Sequence, residues 1–218
     1  MSRPSAILIV RSGSRLNAEA TDAVGRELDL RHVLESADGD AWVGRLDGLE
    51  GRFVFNFLSD RILKGGVLAR EAVNFHPAPP EYPGRSTASY ALFDGARDFG
   101  ATAHRMTAAP DSGAILLVRR VPILPSDGCA DLAARAERAC LDLLRETVAY
   151  VARTGSLPAP CGETWKRKPY TRKDFEKWLV LDPSDPDTFE RKIRAAQHPI
   201  HPGPYVFVNG HRFSLDES

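Results

Sequence analysis

The chain has 218 residues, 43% of them hydrophobic, and a formal net charge of zero at pH 7, with 29 Lys and Arg against 29 Asp and Glu. This composition is typical of a globular protein with enough chain for a full core, and it excludes intrinsic disorder and a low-complexity fibre. A neutral chain has no overall field to attract a polyanion, so general affinity for nucleic acid is not expected.

Cysteine content and hydropathy indicate the compartment. Cys129, Cys140 and Cys161 are odd in number and unevenly spaced, which fits neither a disulfide framework nor a paired-thiol zinc site. No run approaches the roughly 18 to 20 apolar residues that a membrane-spanning helix needs. The early run at residues 6–10 is too short for the core of a signal peptide. We therefore expect a soluble, unexported protein of the reducing cytoplasm, with no membrane partner.

The first part of the chain alternates apolar runs with a helical pattern. Residues 6–10 form a β-branched run of the kind buried on both faces of a parallel sheet, and a helical pattern follows over 17–27. Further strands are predicted at 30–34, 52–57 and 71–76. The last of these must end at the proline-rich loop that follows, because proline cannot continue a strand ladder.

The alternation continues through the middle of the chain. The pattern predicts a helix over 86–94, strands at 100–106 and 114–118, and a long amphipathic helix over 129–153 with Gly155 beyond its end. Alternating strands and helices of this kind build layered sheets. We predict an α/β fold, a three-layer Rossmann-like domain with a mainly parallel sheet.

A change of composition after Pro158 suggests a second unit. A short helix is predicted near 188–196, and Asn209-Gly210 between two apolar runs is a strong signal for a two-residue β-hairpin turn. We therefore divide the chain into a domain over 1–157 and a small C-terminal α+β segment over 158–218 that ends in a hairpin.

One amide, one imidazole and one carboxylate form the candidate catalytic group. Asn74 and His76 are two apart in a predicted strand, so they point to the same side, and they precede a loop at the strand's carboxyl end, where α/β sheets bind ligands. Asp111 lies in another loop of that sheet, just before the strand at 114–118. Taken alone, the Asn/His pair is more typical of a turn cap. With the carboxylate, the three suit acyl transfer to an amine, because they provide an oxyanion donor, a proton exchanger and an orienting group.

Two motifs carry a family resemblance. The segments Asn74-Phe-His-Pro-Ala-Pro-Pro-Glu-Tyr-Pro-Gly84 and Asp111-Ser-Gly113 resemble the signature of the folate-dependent formyltransferase family, the superfamily of glycinamide ribonucleotide transformylase and methionyl-tRNA formyltransferase. A weaker similarity continues to Gly155 and returns at Ile193-Arg-Ala195, so that roughly half of the chain is covered. The loop at 77–84 looks closer to the sugar N-formyltransferases than to the tRNA enzymes.

The resemblance implies a reaction and its participants. It implies N10-formyltetrahydrofolate as the formyl donor and a nucleotide-linked amino-dideoxysugar as the acceptor, in O-antigen or natural-product sugar biosynthesis. In such enzymes the residue matched by Asn74 helps to hold the formyl oxygen, and the one matched by His76 stabilises or exchanges charge at the tetrahedral stage. The residue matched by Asp111 orients water and the imidazole. A homodimer is common in the family.

The resemblance also implies two binding regions. In the family the pterin ring is held largely by main-chain groups of two loops, which correspond here to the neighbourhood of Asp60 to Leu63 and to Thr107 and Ala108. The side chains predicted to form an apolar lining for this pocket are Ile62, Leu63 and Met106. A nucleotide-linked acceptor needs cationic and aromatic groups. The candidates with that chemistry are Tyr82, Arg105, Trp165 and Lys166. The alternatives are ordinary core packing for the apolar lining and a solvated surface for the acceptor candidates.

Several alternatives stay open at the level of sequence. The acceptor could be another amine: an amino-acid-derived compound, a hydroxylamine or methionyl-tRNA, although the basic cluster at 166–173 is short and offset by acidic residues. A folate-binding module without turnover is the non-enzymatic alternative. Only 73 residues precede Asn74, which by comparison with the family predicts a missing strand or helix. No metal is expected, because His198 and His201 lack a third ligand.

Overall fold

The structure is a computed structural model that describes residues 2–36, 43–59, 61–198 and 203–214. Its strands and helices are β1 Ser5–Arg11, α1 Asn17–Glu27, β2 Asp29–Ser36, β3 Phe53–Phe57, β4 Glu71–His76, α2 Thr87–Phe93, β5 Asp98–Arg105, β6 Ile115–Pro122, α3 Cys129–Thr154, α4 Arg172–Trp178, α5 Pro186–Ala196, β7 Tyr205–Val208 and β8 His211–Ser214. Two short 3-10 helices, Val43–Gly48 and Gly65–Ala69, precede and follow β3.

A six-stranded sheet with the order β2-β1-β3-β4-β5-β6 forms the centre of the molecule. The first four strands in this order are parallel, whereas β5 is antiparallel to both β4 and β6. The connection 106–114 between β5 and β6 is shorter than the dozen or so residues that a parallel crossover needs, so these strands pair antiparallel. The predicted α/β fold with a mainly parallel sheet is confirmed.

The two faces of the sheet are covered differently. Phe53, Phe55 and Phe75 point to the face on which α1 and α3 pack, and they belong to the main core. The alternate residues of the strands, such as Ile9 and Val54, point to the other face. That face is covered by the two 3-10 helices and by loops rather than by α-helices. The Rossmann-like layering therefore has one helical layer and one irregular layer, and the irregular side leaves room for polar groups.

The long helix α3 follows from its sequence pattern. The carboxylate of Asp131 accepts a hydrogen bond from the Gly128 N–H at 3.1 Å, which caps the first turn. A stripe that includes Leu132, Ala136 and Leu143 is buried against the sheet. Gly155 ends the helix in a left-handed conformation, with φ +71°. The helix predicted from periodicity over 129–153 is confirmed almost to the residue.

The chain after α3 runs back over the sheet domain before the next helix, α4, begins. Backbone N–H groups of Cys161, Lys166 and Tyr170 donate to carbonyls of Ile115, Pro80 and Pro83. The helix α4 was not predicted, although Thr171 and Asp174 form a capping box at its start. The predicted C-terminal hairpin is confirmed as β7 and β8. The boundary between residues 157 and 158 stays a prediction.

Among the described residues, no helix is long and apolar enough to span a bilayer. Cys129 and Cys140 are buried in or beside the core and Cys161 is exposed.

Candidate active site

Strands β4 and β5 place three polar side chains on the irregular face of the sheet. Asn74 and His76 are two apart in β4, and in the antiparallel register they lie opposite His104 and Thr102 of β5. Paired residues of neighbouring strands point to the same face, so both histidines and the Asn74 amide come together. His76 and His104 are buried, at 6% and 3% exposure, and the environment of the cluster therefore largely excludes water.

A chain of hydrogen bonds orients the Asn74 amide. The Nδ2 group of Asn56 donates to Asn74 Oδ1 at 2.8 Å, and Asn74 Nδ2 lies 3.0 Å from His104 Nε2. His104 Nδ1 lies 2.9 Å from the Arg105 carbonyl. A carbonyl only accepts, so Nδ1 carries the hydrogen, and Nε2 of the neutral ring is left as the acceptor for the Asn74 amide.

Asp111 brings a carboxylate between the two imidazoles. The loop 106–114 folds back over the sheet and holds Asp111 at φ +42°. Oδ2 of Asp111 accepts from the Gly84 N–H at 2.8 Å and lies 3.5 Å from His76 Nδ1, while Oδ1 lies 3.3 Å from His104 Nε2. Its single negative charge is thus available to whichever ring carries a proton.

The surroundings of Asp111 favour its ionised form. Burial by itself would raise the pKa of the Asp111 carboxyl, but the neighbouring histidines, above all His76, and the Gly84 N–H together hold that pKa well below its ordinary value. The carboxylate is therefore charged throughout the neutral range.

Trp165 covers the imidazoles from the C-terminal segment. Its ring meets those of His76 and His104 edge-on, with centroids 5.9 and 5.0 Å apart. Its Nε1–H donates to the Gly113 carbonyl at 2.9 Å, which ties the indole to the loop that carries Asp111. Trp165, proposed from sequence as an acceptor contact, therefore lies beside the catalytic candidates.

Gly84 contacts both the loop 106–114, through Asp111, and the C-terminal segment, through Tyr170. It has φ +96°, and it forms a parallel bridge with Tyr170. A Cβ atom at this position would lie 2.3 Å from both the backbone N and the backbone O of Tyr170. Only glycine permits this approach, which also directs the Gly84 N–H at Asp111.

The other three residues predicted to bind the formyl acceptor have side chains that lie outside this cluster. The Tyr82 ring is buried in the core, its hydroxyl donates to Asp94, and burial is the main cause that raises its pKa to about 12. Its carbonyl, rather than its phenol, contacts the site, where it accepts from His76 Nε2 at 3.0 Å. Arg105 pairs with Glu71 at 2.9 Å. Lys166 is exposed and its backbone N–H donates to Pro80.

The donor-pocket candidates are divided between core and surface. Leu63 is buried and Met106 packs partly buried against the same apolar cluster on the irregular face. Ile62 is 55% exposed, and Thr107 and Ala108 are exposed in the loop that leads to Asp111. Asp60 lies outside the described residues.

Sequence reasoning missed His104, Asn56 and Gly84. Asn56 interrupts the apolar strand β3, and a polar residue at a buried strand position is a usable signal because such groups need partners. His104 has no such signal, because β5 also contains Asp98, Thr102 and Arg105. Among the described residues, no group of three or more His, Cys, Asp or Glu is arranged to hold a metal ion. His201 is outside the described residues.

Together these groups define an α/β protein with a site equipped for acyl transfer: an oriented amide, two buried imidazoles and an ionised carboxylate on one face of the sheet. The family model described as formyl transferase matches residues 55–148, which include Asn74, His76, His104 and Asp111. This part of the chain, which holds the candidate site, is therefore similar to formyl transferases.

Solved structures share the fold. A 4-N formyltransferase from Francisella tularensis is 15% identical, with 97% of this chain and 96% of that chain covered and a TM-score of 0.80. A sugar N-formyltransferase from a Shewanella species is 18% identical, with 98% and 97% covered and a TM-score of 0.77. HypX from Aquifex aeolicus, in complex with tetrahydrofolic acid, is 19% identical, with 99% and 38% covered and a TM-score of 0.71.

Proposed function

We propose that this protein transfers the formyl group of N10-formyltetrahydrofolate to the amino group of a nucleotide-linked amino-dideoxysugar. The observation that carries the proposal is the Asp111 carboxylate, held between His76 and His104 beside the Asn74 amide. Similarity to sugar N-formyltransferases over nearly the whole of both chains supports the acceptor class. The tetrahydrofolic acid complex of HypX supports a folate donor.

The proposed reaction is an acyl transfer through a tetrahedral intermediate. The acceptor nitrogen attacks the formyl carbon, a new C–N bond forms, and the formyl oxygen takes up negative charge. Asn74 Nδ2 donates to that oxygen. The bond between the formyl carbon and N10 then breaks, and the proton lost by the attacking amine ends on N10 of tetrahydrofolate. Stabilisation of the oxyanion by preoriented donors is the largest expected contribution to rate.

The remaining members of the cluster act on charge and orientation. His76 exchanges the proton between the amine and N10, and the Tyr82 carbonyl holds its ring in place. Asp111 stabilises the imidazolium that forms during this transfer. His104 is a positioning residue, because its Nε2 accepts from the Asn74 amide and its Nδ1–H is fixed by the Arg105 carbonyl. Asn74 is the most exposed of the four, so the reactants approach from its side.

Binding of the two reactants is assigned to the flanking segments. The donor lies against the irregular face, where Leu63 and Met106 line the apolar part and the main chain of Thr107 and Ala108 contributes hydrogen bonds. Ile62 lies at the rim of this region. The acceptor lies near the C-terminal segment, where Trp165 forms a wall and Lys166 provides positive charge for a diphosphate, whereas the charge of Arg105 is already paired with Glu71. Tyr82 takes part through its carbonyl.

The division of the chain is part of this proposal. The domain over 1–157 holds the four polar groups, and the segment over 158–218 adds Trp165 to the site and the Tyr170 backbone beside Gly84.

The test is a competition among acceptors with a mass-spectrometric readout. Wild type and His76→Ala are incubated with N10-formyltetrahydrofolate and a panel of nucleotide-linked amino sugars, a hydroxylamine, an amino acid amide and methionyl-tRNA. Formylation of an amino sugar by wild type alone supports the proposal. Formylation of a different amine contradicts the acceptor class, and donor binding without any formylated product contradicts the activity.

A further inference from the structure

Asn56 is a polar residue in a strand that is otherwise apolar. The strand β3 reads Phe53-Val-Phe-Asn-Phe57 and all five side chains are buried, Asn56 at 2% exposure. The parallel registers pair Asn56 with Ile9 of β1 on one side and with Asn74 of β4 on the other. Asn56 therefore has an apolar neighbour on one side, and its neighbour on the other is the amide that faces the reactants.

The Asn56 amide determines which end of the Asn74 amide faces the site. Asn56 Nδ2 donates to Asn74 Oδ1 at 2.8 Å, which occupies the carbonyl end and leaves Nδ2 directed away, 3.0 Å from His104 Nε2. The two ends of an asparagine amide have nearly the same shape, so hydrogen bonds alone decide its orientation. Asn74 Nδ2 carries two hydrogens, so one remains available to an oxygen in the site when the other is directed at His104.

Stability does not account for the presence of Asn56. Its Oδ1 atom is buried and accepts no hydrogen bond from any residue that the structure describes. A buried acceptor without a partner lowers the free energy of unfolding, and such groups in native proteins tend to serve function. An apolar side chain of similar size would pack beside Ile9 without this penalty.

We propose that Asn56 is a positioning residue, which fixes the amide of Asn74 so that its Nδ2 group is directed at the formyl oxygen. This inference rests on the proposed function of the same site. Asn56 does not touch the reactants and acts only through Asn74.

Asn56→Asp reverses the polarity of the contact at constant shape. An ionised carboxylate can only accept, so it draws Nδ2 of Asn74 toward itself and turns the Asn74 carbonyl to the formyl oxygen. We expect kcat to fall about tenfold to hundredfold at neutral pH, as for other residues that orient a catalytic group, with a smaller change in KM for the donor. The protonated carboxyl can donate again. The ratio of variant to wild-type kcat should therefore rise as the pH falls through the pKa of the introduced group.

Asn56→Leu removes the donor without adding charge. Its kcat should also fall. Its free energy of unfolding should stay close to that of wild type, because removal of the unpartnered oxygen offsets the loss of the donor to Asn74 Oδ1. Ser36→Ala is the matched control. Ser36 is buried at the end of β2, its hydroxyl also has no partner among the described residues, and it does not contact Asn74. This control should keep the wild-type kcat.

A double-mutant cycle and a spectroscopic measurement complete the test. In an Asn74→Ala background, Asn56→Leu should cause no further loss of rate, whereas a merely structural role would give the same factor in both backgrounds. The side-chain NH₂ resonances of Asn74, assigned by NMR from their loss in Asn74→Ala, should move in Asn56→Asp and stay in place in Ser36→Ala.

Two results would overturn the inference: wild-type kcat in Asn56→Asp at neutral pH, or unchanged Asn74 resonances in that variant. A wild-type protein that formylates no acceptor would contradict the proposed function instead, and the resonances would still decide the orientation of the amide.

Discussion

Asn74 and His104 lie opposite each other in the antiparallel pair of β4 and β5, with Asn74 Nδ2 3.0 Å from His104 Nε2. The two residues are 30 positions apart in the chain and share one buried face. This pairing links the oxyanion donor of the proposed reaction to a second imidazole, whose Nδ1–H is fixed by the Arg105 carbonyl and whose Nε2 lies 3.3 Å from Asp111 Oδ1.

His104→Leu removes the acceptor for the Asn74 amide. We expect kcat to fall about tenfold to hundredfold, because the amide loses one of its two fixed contacts. His104→Gln, whose amide oxygen can accept, should recover part of the loss. Initial rates at saturating donor measure this, with His211→Ala on the exposed hairpin as the control. Full activity in His104→Leu would show that the pairing does not matter for turnover.

Asp111→Asn tests the charge of the carboxylate through stability. Burial would raise the folded-state pKa of Asp111, but the neighbouring histidines, above all His76, hold it below its ordinary value. Its stabilising contribution is therefore present above the ordinary Asp pKa of about 3.9 and is lost as the pH falls below it toward the lower folded value. Between pH 7 and pH 3 the loss should be on the order of 1 kcal/mol.

The measurement is urea denaturation of wild type and Asp111→Asn at pH 7 and pH 3. The fall in the free energy of unfolding between these pH values should be larger for wild type, because the variant lacks this titrating group. Equal falls in both proteins would contradict a low folded pKa for Asp111.

Trp165→Ala should uncouple transfer from donor hydrolysis. The indole lies edge-on to both imidazoles, so its removal admits water to the cluster, which then competes with the amine. We expect kcat for transfer to fall and the ratio of formate to formylated product to rise. Trp165→Phe keeps an aromatic edge but loses the Nε1–H bond to Gly113 and should be intermediate.

Trp178→Ala is the control for loss of an indole. Trp178 packs against Tyr90, Phe93 and Phe175, away from the four polar groups. Its removal should lower the free energy of unfolding by up to about 3 kcal/mol and leave the product ratio unchanged. A product ratio that changes equally in both alanine variants would contradict a specific role for Trp165.

Gly84→Ala should impair both folding and turnover. A Cβ atom there would meet the Tyr170 backbone at 2.3 Å, and the N–H that holds Asp111 would be displaced. Gly95→Ala is the matched control, since Gly95 also has positive φ, +64°, but a Cβ atom would meet nothing within 4 Å. The control should lose about 1 kcal/mol of stability from the left-handed conformation alone and keep its kcat. Thermal unfolding and initial rates together separate the two variants.

The elements that the sequence predicts are those with a clear hydrophobic period. The runs at β1, β3 and β6, the amphipathic stripe of α3 and the Asn209-Gly210 turn each contain their own local signal, and each forms where predicted. Helix α4 was missed because its residues are mostly charged and its capping box at Thr171 gives the main sign of a helix start. The antiparallel direction of β5 depends on the return of the chain after α2, which has no local signature.

The candidate site could be predicted only where its residues belong to a motif. Asn74, His76 and Asp111 stand in recognisable segments, and the structure brings them together. Asn56 is a single polar residue in an apolar strand, His104 is one of several polar residues in β5, and their shared partner Asn74 is 18 and 30 positions away. Tyr82 is predicted to bind the formyl acceptor through its ring, but the ring packs in the core, so only the Tyr82 carbonyl contacts His76.

The most direct test of the account is a single-turnover experiment with N10-formyltetrahydrofolate labelled with ¹³C in the formyl group and a nucleotide-linked amino sugar. Wild type should place the labelled carbon on the sugar nitrogen, and His76→Ala should do so about a hundred- to thousandfold more slowly while it still binds the donor. Equal rates of label transfer in both proteins, or label released only as formate by wild type, would contradict the account.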